Sequence, residues 1–126
     1  MAVTTAGLNL ILQKLGGFAG TVIDNTNGYI GVGDSSTAFS AAHTDLQAAS
    51  NKTRVVMDAS FPTQVTNVGT YKATFSTGVA NYAWLEWGIF NASTAGTMLS
   101  RKSESLGTKT SAQTWVITAT LTWAVA

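Results

Sequence analysis

Residues 114–125 read TWVITATLTWAV, and this stretch states its conformation more plainly than any other in the 126-residue chain. Trp115, Ile117, Ala119, Leu121, Trp123 and Val125 alternate with Thr114, Val116, Thr118, Thr120, Thr122 and Ala124. A period of two puts each set on its own face of an extended strand. One face is apolar and belongs in a core. The other is a ladder of threonines that meets water or a partner, as on an antiparallel strand with one wet side.

Working back toward the N-terminus, residues 97–102, 82–90, 71–76 and 53–59 read as further strands. Residues 21–23 and 29–32 flank the turn signal Asp24-Asn25-Thr26-Asn27-Gly28 as a hairpin. Residues 33–42 are small and polar and read as a surface loop, Thr44 caps a short helical turn through Ala48, and Pro62 stands at a turn or strand edge. About seven short strands with turns every 8–12 residues predict an all-β antiparallel sandwich, the class that includes the jelly roll. Ahead of it, Leu8, Ile11, Leu12 and Leu15 fall at i, i+3, i+4 and i+7, one face of a short helix capped by Thr4 or Thr5 and stopped by Gly16-Gly17. The expected division is an N-terminal arm or short helix over residues 1–19 and a sandwich over residues 20–126.

Composition narrows the function. One domain of this length buries about two thirds of its unfolded surface without staples. Seven basic and six acidic residues leave a net charge of +1, and only 10% of residues are charged, against about 25% in an ordinary soluble domain. That excludes electrostatic nucleic-acid binding, which needs a concentrated basic face. No cysteine means no disulfide framework, thiol nucleophile or thiolate metal site, and a single histidine makes a zinc centre improbable. Solubility comes instead from 20 Thr and 11 Ser, and a neutral, hydroxyl-rich surface suits a chain that packs against neighbours. No basic region precedes the apolar residues 8–15, as a signal peptide requires, and that run is far short of the ~20 residues of a bilayer span. The expected protein is soluble, without membrane, nucleic-acid, cofactor or metal partners, and assembles as a dimer or trimer.

Each candidate for chemistry meets a plainer alternative. Gly31-Val32-Gly33-Asp34-Ser35-Ser36 brings glycines to a loop, but no Gly-Lys-Ser/Thr and no helix follow, so a strand-to-loop turn is expected. The calcium-loop pattern laid on Gly28 puts Ile23 where its first aspartate belongs, so residues 24–28 read as a turn. His43 near Ser40 and Ser50 lacks a nucleophile-elbow signature. Glu86, between Trp84 and Trp87, invites a general-acid reading that needs a second carboxylate from Glu104 or Asp58. An aromatic platform of Tyr82, Trp84 or Trp87 would serve glycan binding alone. On strict alternation Leu85, Trp87 and Ile89 share one face and Trp84, Glu86 and Phe90 the other, so the strand is covered on both sides. Glu86 is then paired with Arg54, Lys72 or Arg101, or lies at a subunit boundary. Asn51-Lys52-Thr53 and Asn91-Ala92-Ser93 match the short glycosylation pattern, which chance also produces. No catalytic residue is assigned.

Three stretches, GYIGVGDSSTAFSAAHTDLQAAS (28–50), WLEWGIFNASTAGTMLSRK (84–102) and ESLGTKTSAQTWVITATLTW (104–123), resemble a group of small virion proteins of tailed bacteriophages, described as structural, head-decoration or tail-fibre-associated. The likeness covers about half the chain and none of the segment before Gly28. It implies a non-enzymatic capsid decoration, or cement, protein. Such a protein is made in the bacterial cytoplasm, binds the outside of the head as a homo-oligomer and clamps major capsid subunits together. The alternative is a tail or tail-fibre component with a receptor- or glycan-binding tip. The expected interface residues are Leu8, Ile11, Leu12 and Leu15 of the arm, and Tyr82, Trp84, Trp87 and Phe90 of the aromatic strand.

Overall fold

In the computed structural model, which describes residues 2–123, the threonine-rich strand pairs without interruption. Trp115 lies opposite Phe75 and Thr122 opposite Val68. The elements run β1 (Ala2–Val3), α1 (Thr5–Leu15), β2 (Tyr29–Gly33), β3 (Lys52–Val56), β4 (Thr63–Val65), β5 (Val68–Phe75), β6 (Ala83–Phe90), β7 (Met98–Thr108) and β8 (Trp115–Thr122). A five-stranded sheet ordered β1-β7-β6-β2-β3 packs on a three-stranded sheet ordered β4-β5-β8, with every pairing antiparallel. The chain is an all-β sandwich with a short N-terminal helix. The expected continuation of the alternation through Ala124 and Val125 lies outside the described residues.

Alternation places Ile117, Ala119 and Leu121 of β8 and Ala73 and Phe75 of β5 in the core. There they meet Ile30, Val32, Trp84, Trp87 and Ile89 of the larger sheet. Trp84 sits edge-on to Phe75 and Trp115, with ring centroids 4.8 and 5.0 Å away, the geometry that aromatic quadrupoles favour. On the other face of the larger sheet Phe90 and Met98 pack with Leu46. Leu46 belongs to the long loop between β2 and β3, so β6 is indeed covered on both sides. Strict alternation would separate Trp84 from Trp87 and Ile89, yet all three share the core. The ladder is irregular at this point: between the pairs Trp84–Gly107 and Glu86–Ser103, β6 has one residue and β7 three. Gly107, at φ +105°, absorbs the irregularity.

Several expectations need correction. Residues 21–23 form no strand; Asp24 closes its own turn, its Oδ1 accepting from the N–H groups of Thr26 and Asn27, and β2 pairs with β3 and β6 instead. Residues 44–48 form no helical turn, because the N–H groups of Gln47 and Ala48 are drawn to Glu86. β7 runs to Thr108, well past residue 102. β1 and β4, of two and three residues, are too short to show a period.

The helix is correctly punctuated but rotated. Thr4 is its N-cap, and Gly17, at φ +71°, ends it with Gly17 N–H donating to Lys14 C=O and Phe18 N–H to Gln13 C=O, a Schellman motif. The buried positions are Gly7 and Leu10, with Ile11 half-buried against the core. Leu8, Leu12 and Leu15 point outward. Gly7 fixes this rotation, since a Cβ there would stand 2.3 Å from the Leu99 carbonyl oxygen. The expected arm is joined to the sandwich. Ala2 and Val3 pair with Arg101 and Ser100, and the buried Thr4 donates its N–H to Leu99 C=O at 3.0 Å. Thr4 Oγ1 accepts from Gly7 N–H at 2.9 Å and donates to Met98 C=O at 2.5 Å.

Removing that hydroxyl takes away a cap and strands a buried carbonyl. Thr4→Ala should lose about 2 kcal/mol in denaturant unfolding, and Thr4→Ser should recover most of it.

Candidate functional site

Glu86 and Arg101 lie diagonally across the β6–β7 ladder, where Glu86 is opposite Ser103 and Arg101 opposite Gly88, and both side chains are fully buried. Arg101 Nε donates to Glu86 Oε2 at 2.7 Å. The same carboxylate accepts the N–H of Gln47 on Oε2 at 2.9 Å and of Ala48 on Oε1 at 2.8 Å. Arg101 Nη2 donates to Thr37 C=O at 2.8 Å. Of the three expected partners for Glu86, Arg101 is therefore the one found. Between them the two side chains fasten both ends of the loop 34–51 to the sheet. A fully buried carboxylate that already accepts three hydrogen bonds is out of a substrate's reach. Nor does a second carboxylate oppose it across a cleft. Glu104 accepts from Trp87 Nε1 at 2.8 Å and pairs with Lys102, contacts that hold its pKa below the ordinary value. Asp58 accepts from Thr74 Oγ1 at 2.9 Å.

The would-be phosphate loop serves this same pair. Gly31 and Gly33 lie in β2, where a Cβ on Gly33 would stand 2.4 Å from Glu86 Oε1 and one on Gly31 2.9 Å from the Phe90 ring. These glycines admit neighbouring side chains instead of an anion. His43 Nδ1 accepts from Ser40 N–H at 3.2 Å, and Ser40 Oγ accepts from Ala42 N–H, so the histidine closes a turn and activates no hydroxyl. Among the described residues no group of three His, Asp or Glu is placed to share a metal, and no helix is long and apolar enough to cross a membrane.

A second polar cluster borders a shallow surface cleft lined by Asp45, Lys52, Arg54 and residues 93–95. Asp45 bonds Lys52 Nζ at 2.8 Å and Arg54 Nη2 at 3.1 Å. The Arg54 guanidinium lies 3.6 Å above the Phe90 ring and donates to the carbonyls of Ala92 and Ala95. Burial alone would raise the Asp45 pKa, but the bonds from Lys52, Arg54 and the Leu46 N–H outweigh it and hold the carboxyl below 3.8. This cluster pins the loop 34–51 and the turn after β6 to the edge strand β3.

The expected interface residues separate into two groups. Trp84 is 1% exposed, Trp87 8% and Phe90 0%. All three are core, and their expected role at a partner surface is corrected. Trp84 Nε1 is spent on Ala80 C=O. Tyr82 is half-buried, its hydroxyl bonded to Thr53 Oγ1 at 2.9 Å, so no aromatic platform for a glycan stands on β6. The physical reason is cover on both sides: the three-stranded sheet buries Trp84 and Trp87, and Leu46 of the loop 34–51 packs on Phe90. The leucines behave differently. Leu8 is 48%, Leu12 62% and Leu15 84% exposed, and Phe18, just past the helix, is 69% exposed. Helical spacing puts Leu8, Leu12 and Leu15 in one stripe. The helix carries more apolar residues than one face can bury, and the surplus forms an outward ridge.

Sequence reasoning did not find Lys109, which is 1% exposed and donates through Nζ to Ser76 C=O and Asn81 Oδ1, each at 2.7 Å. No local pattern signals it, because its partners lie about thirty residues away. No family model, curated protein or solved structure matches this chain. Its function is therefore argued from the geometry.

Two measurements test the roles given to these groups. In Glu86→Gln the carboxamide keeps one acceptor and turns an NH2 toward donors, leaving the Arg101 charge buried and unpaired. Unfolding stability should fall by about 3–5 kcal/mol. Asp45 has a depressed pKa in the folded state, so its contribution is complete above 3.8 and is lost as pH falls through the folded value. Asp45→Asn should thus cost up to ~1 kcal/mol at neutral pH, and the cost should shrink as the pH is lowered through and below the ordinary carboxylate range, read from denaturation curves across it.

Proposed function

We propose that this protein is a virion structural protein of a tailed bacteriophage: a capsid decoration, or cement, protein that binds the outside of the head and joins neighbouring major capsid subunits. One observation carries the reading. A ridge of Leu8, Leu12, Leu15 and Phe18 stands exposed on a subunit whose own core is already filled. An apolar ridge of this kind is stable in water only at the expense of uncovered surface, and its contiguity marks a docking site. Support also comes from the three stretches that resemble phage virion proteins. The low charge suits permanent packing against neighbours, and the polar groups that could have done chemistry, Glu86, His43 and Asp45, are engaged in holding loops.

The mechanism is area and mass action. A ligand that binds only the assembled shell stabilises it in proportion to its occupancy, and each copy needs to bury on the order of 1,000 Å² for lasting contact. Helix α1 delivers its ridge rigidly, because Thr4 and Gly7 lock it onto β7.

Capsids lacking the protein, incubated with it and imaged by electron cryo-microscopy, should show ordered density at local symmetry axes with α1 against the shell. Leu12→Asp with Leu15→Asp should abolish that density while leaving the melting curve unchanged, since both side chains are exposed. A bare shell with folded wild-type protein would overturn the reading and move the search to tail tubes.

A further inference from the structure

The sandwich has four lateral edges, and three are blunted. β1 has two residues and β4 three. β3 carries Lys52 and Arg54, both held in ion pairs with Asp45. Short strands and charges are the means by which sheet edges avoid pairing with other chains. The fourth edge, β8, has no such protection. Its eight residues, WVITATLT, include no charge, proline or glycine. Its ladder with β5 runs through eight consecutive pairs without a bulge. In an antiparallel ladder alternate residues turn their N–H and C=O away from the neighbour, so about half of the β8 backbone groups point outward from the sheet. Among the described residues no loop backbone bonds to residues 115–122. A cleft lined by Trp84, Leu106, Trp115, Val116 and Ile117, with no residue of β5, opens on this same free side. Leu106 and Val116 are themselves exposed.

We infer that β8 is a self-association edge: it pairs antiparallel with β8 of a second copy of this chain about a two-fold axis, joining the two three-stranded sheets into one of six strands. A second copy is the occupant that fits, because a two-fold sets each residue against the same short segment reversed. Any charge on β8 would meet its own image there, and the strand carries none. The faces fix the register. Residues directly opposite must lie on the same side of the joined sheet, so threonines oppose threonines or Val116, and core residues oppose core residues. Pairing Trp115 with Thr122 for maximal overlap breaks that rule. An axis through Thr118 obeys it, setting Val116 against Thr120 and Ile117 against Ala119; so does an axis through Ala119, setting Thr118 against Thr120. The Trp123 N–H bonds Asn67 C=O in continuation of the β5 ladder, so the even-numbered residues of β8 point their backbone groups outward. The register about Ala119 then contributes about eight interchain backbone hydrogen bonds and the one about Thr118 about six. Both give the neutral outer face of β8 its use as a Thr–Thr contact. A two-fold closes on itself, so the assembly stops at a dimer.

The inference concerns self-association alone and does not rest on the capsid reading: failure to bind capsids leaves it intact, and a monomeric protein removes it without touching α1. Sedimentation and light scattering across the micromolar range should give a dimer of the 13.1 kDa chain. Thr118→Lys with Thr120→Lys, and separately Thr118→Glu with Thr120→Glu, place like charges across the axis in both registers. Each variant alone should dissociate at least about tenfold more readily, and an equimolar mixture of the two should restore the dimer. Both positions are exposed on the outer face, so circular dichroism should be unchanged. If either variant misfolds, hydrogen exchange of the wild type decides, with alternate β8 amides protected only at dimer concentrations. A wild-type monomer throughout, a dimer indifferent to both variants, or β8 amides whose exchange ignores concentration would overturn the inference.

Discussion

The buried pair of Glu86 and Arg101 is the constraint on which the rest of this structure depends. Two opposite charges taken out of water need partners for their remaining lone pairs and protons. Here the loop 34–51 supplies most of them through the Gln47 and Ala48 N–H groups and the Thr37 carbonyl, and among the described residues Arg101 Nη1 is left without one. The requirement runs both ways. Most of the loop's apolar residues are alanines, and the charge pair anchors it across the outer face of the larger sheet. Once there, Leu46 caps Phe90 and Met98, and β6 becomes a strand buried on both sides. Gly33 completes the arrangement by leaving room for the carboxylate.

Function follows from what this leaves over. Covering β6 removes the aromatic residues from the surface, and saturating Glu86 removes the one carboxylate in an apolar setting. What the molecule presents to others is then a helical ridge of leucines on one side and an uncharged sheet edge on another. They are surfaces of different kinds. The ridge offers apolar area to a groove in a partner, whereas the edge offers a row of backbone donors and acceptors to another strand. On the reading proposed above, the ridge meets the capsid lattice and the edge meets a second copy.

The fold was legible where the sequence repeats a period long enough to read. β8 and β5 declare themselves by alternation, β6 by its run of aromatic and apolar residues, and Gly16-Gly17 and Thr4 mark the helix ends by their backbone chemistry. β1 and β4 were not legible, being too short to have a period. The hairpin expected around Asp24 failed because an Asx turn and a β-turn share the same residues; Asp24 Oδ1 accepts from the N–H groups of Thr26 and Asn27. The helix face was misjudged by about a third of a turn. Five apolar residues ring α1, and only the contact of Gly7 with Leu99, some ninety residues away, decides which of them go inside. Arg101 was among three possible partners of Glu86, and strand order alone selects it. Trp84 lies in the core beside a ladder irregularity that no pattern around Trp84 announces.

The account stands on the loop 34–51 being fixed by Glu86 and Arg101 and not resting loosely on the sheet. Hydrogen exchange at the Gln47 and Ala48 amides measures this directly. If the buried carboxylate holds them, both should exchange as slowly as the β6 amides, only through global unfolding. Exchange at the rate of an open loop, while β6 stays protected, would contradict the account.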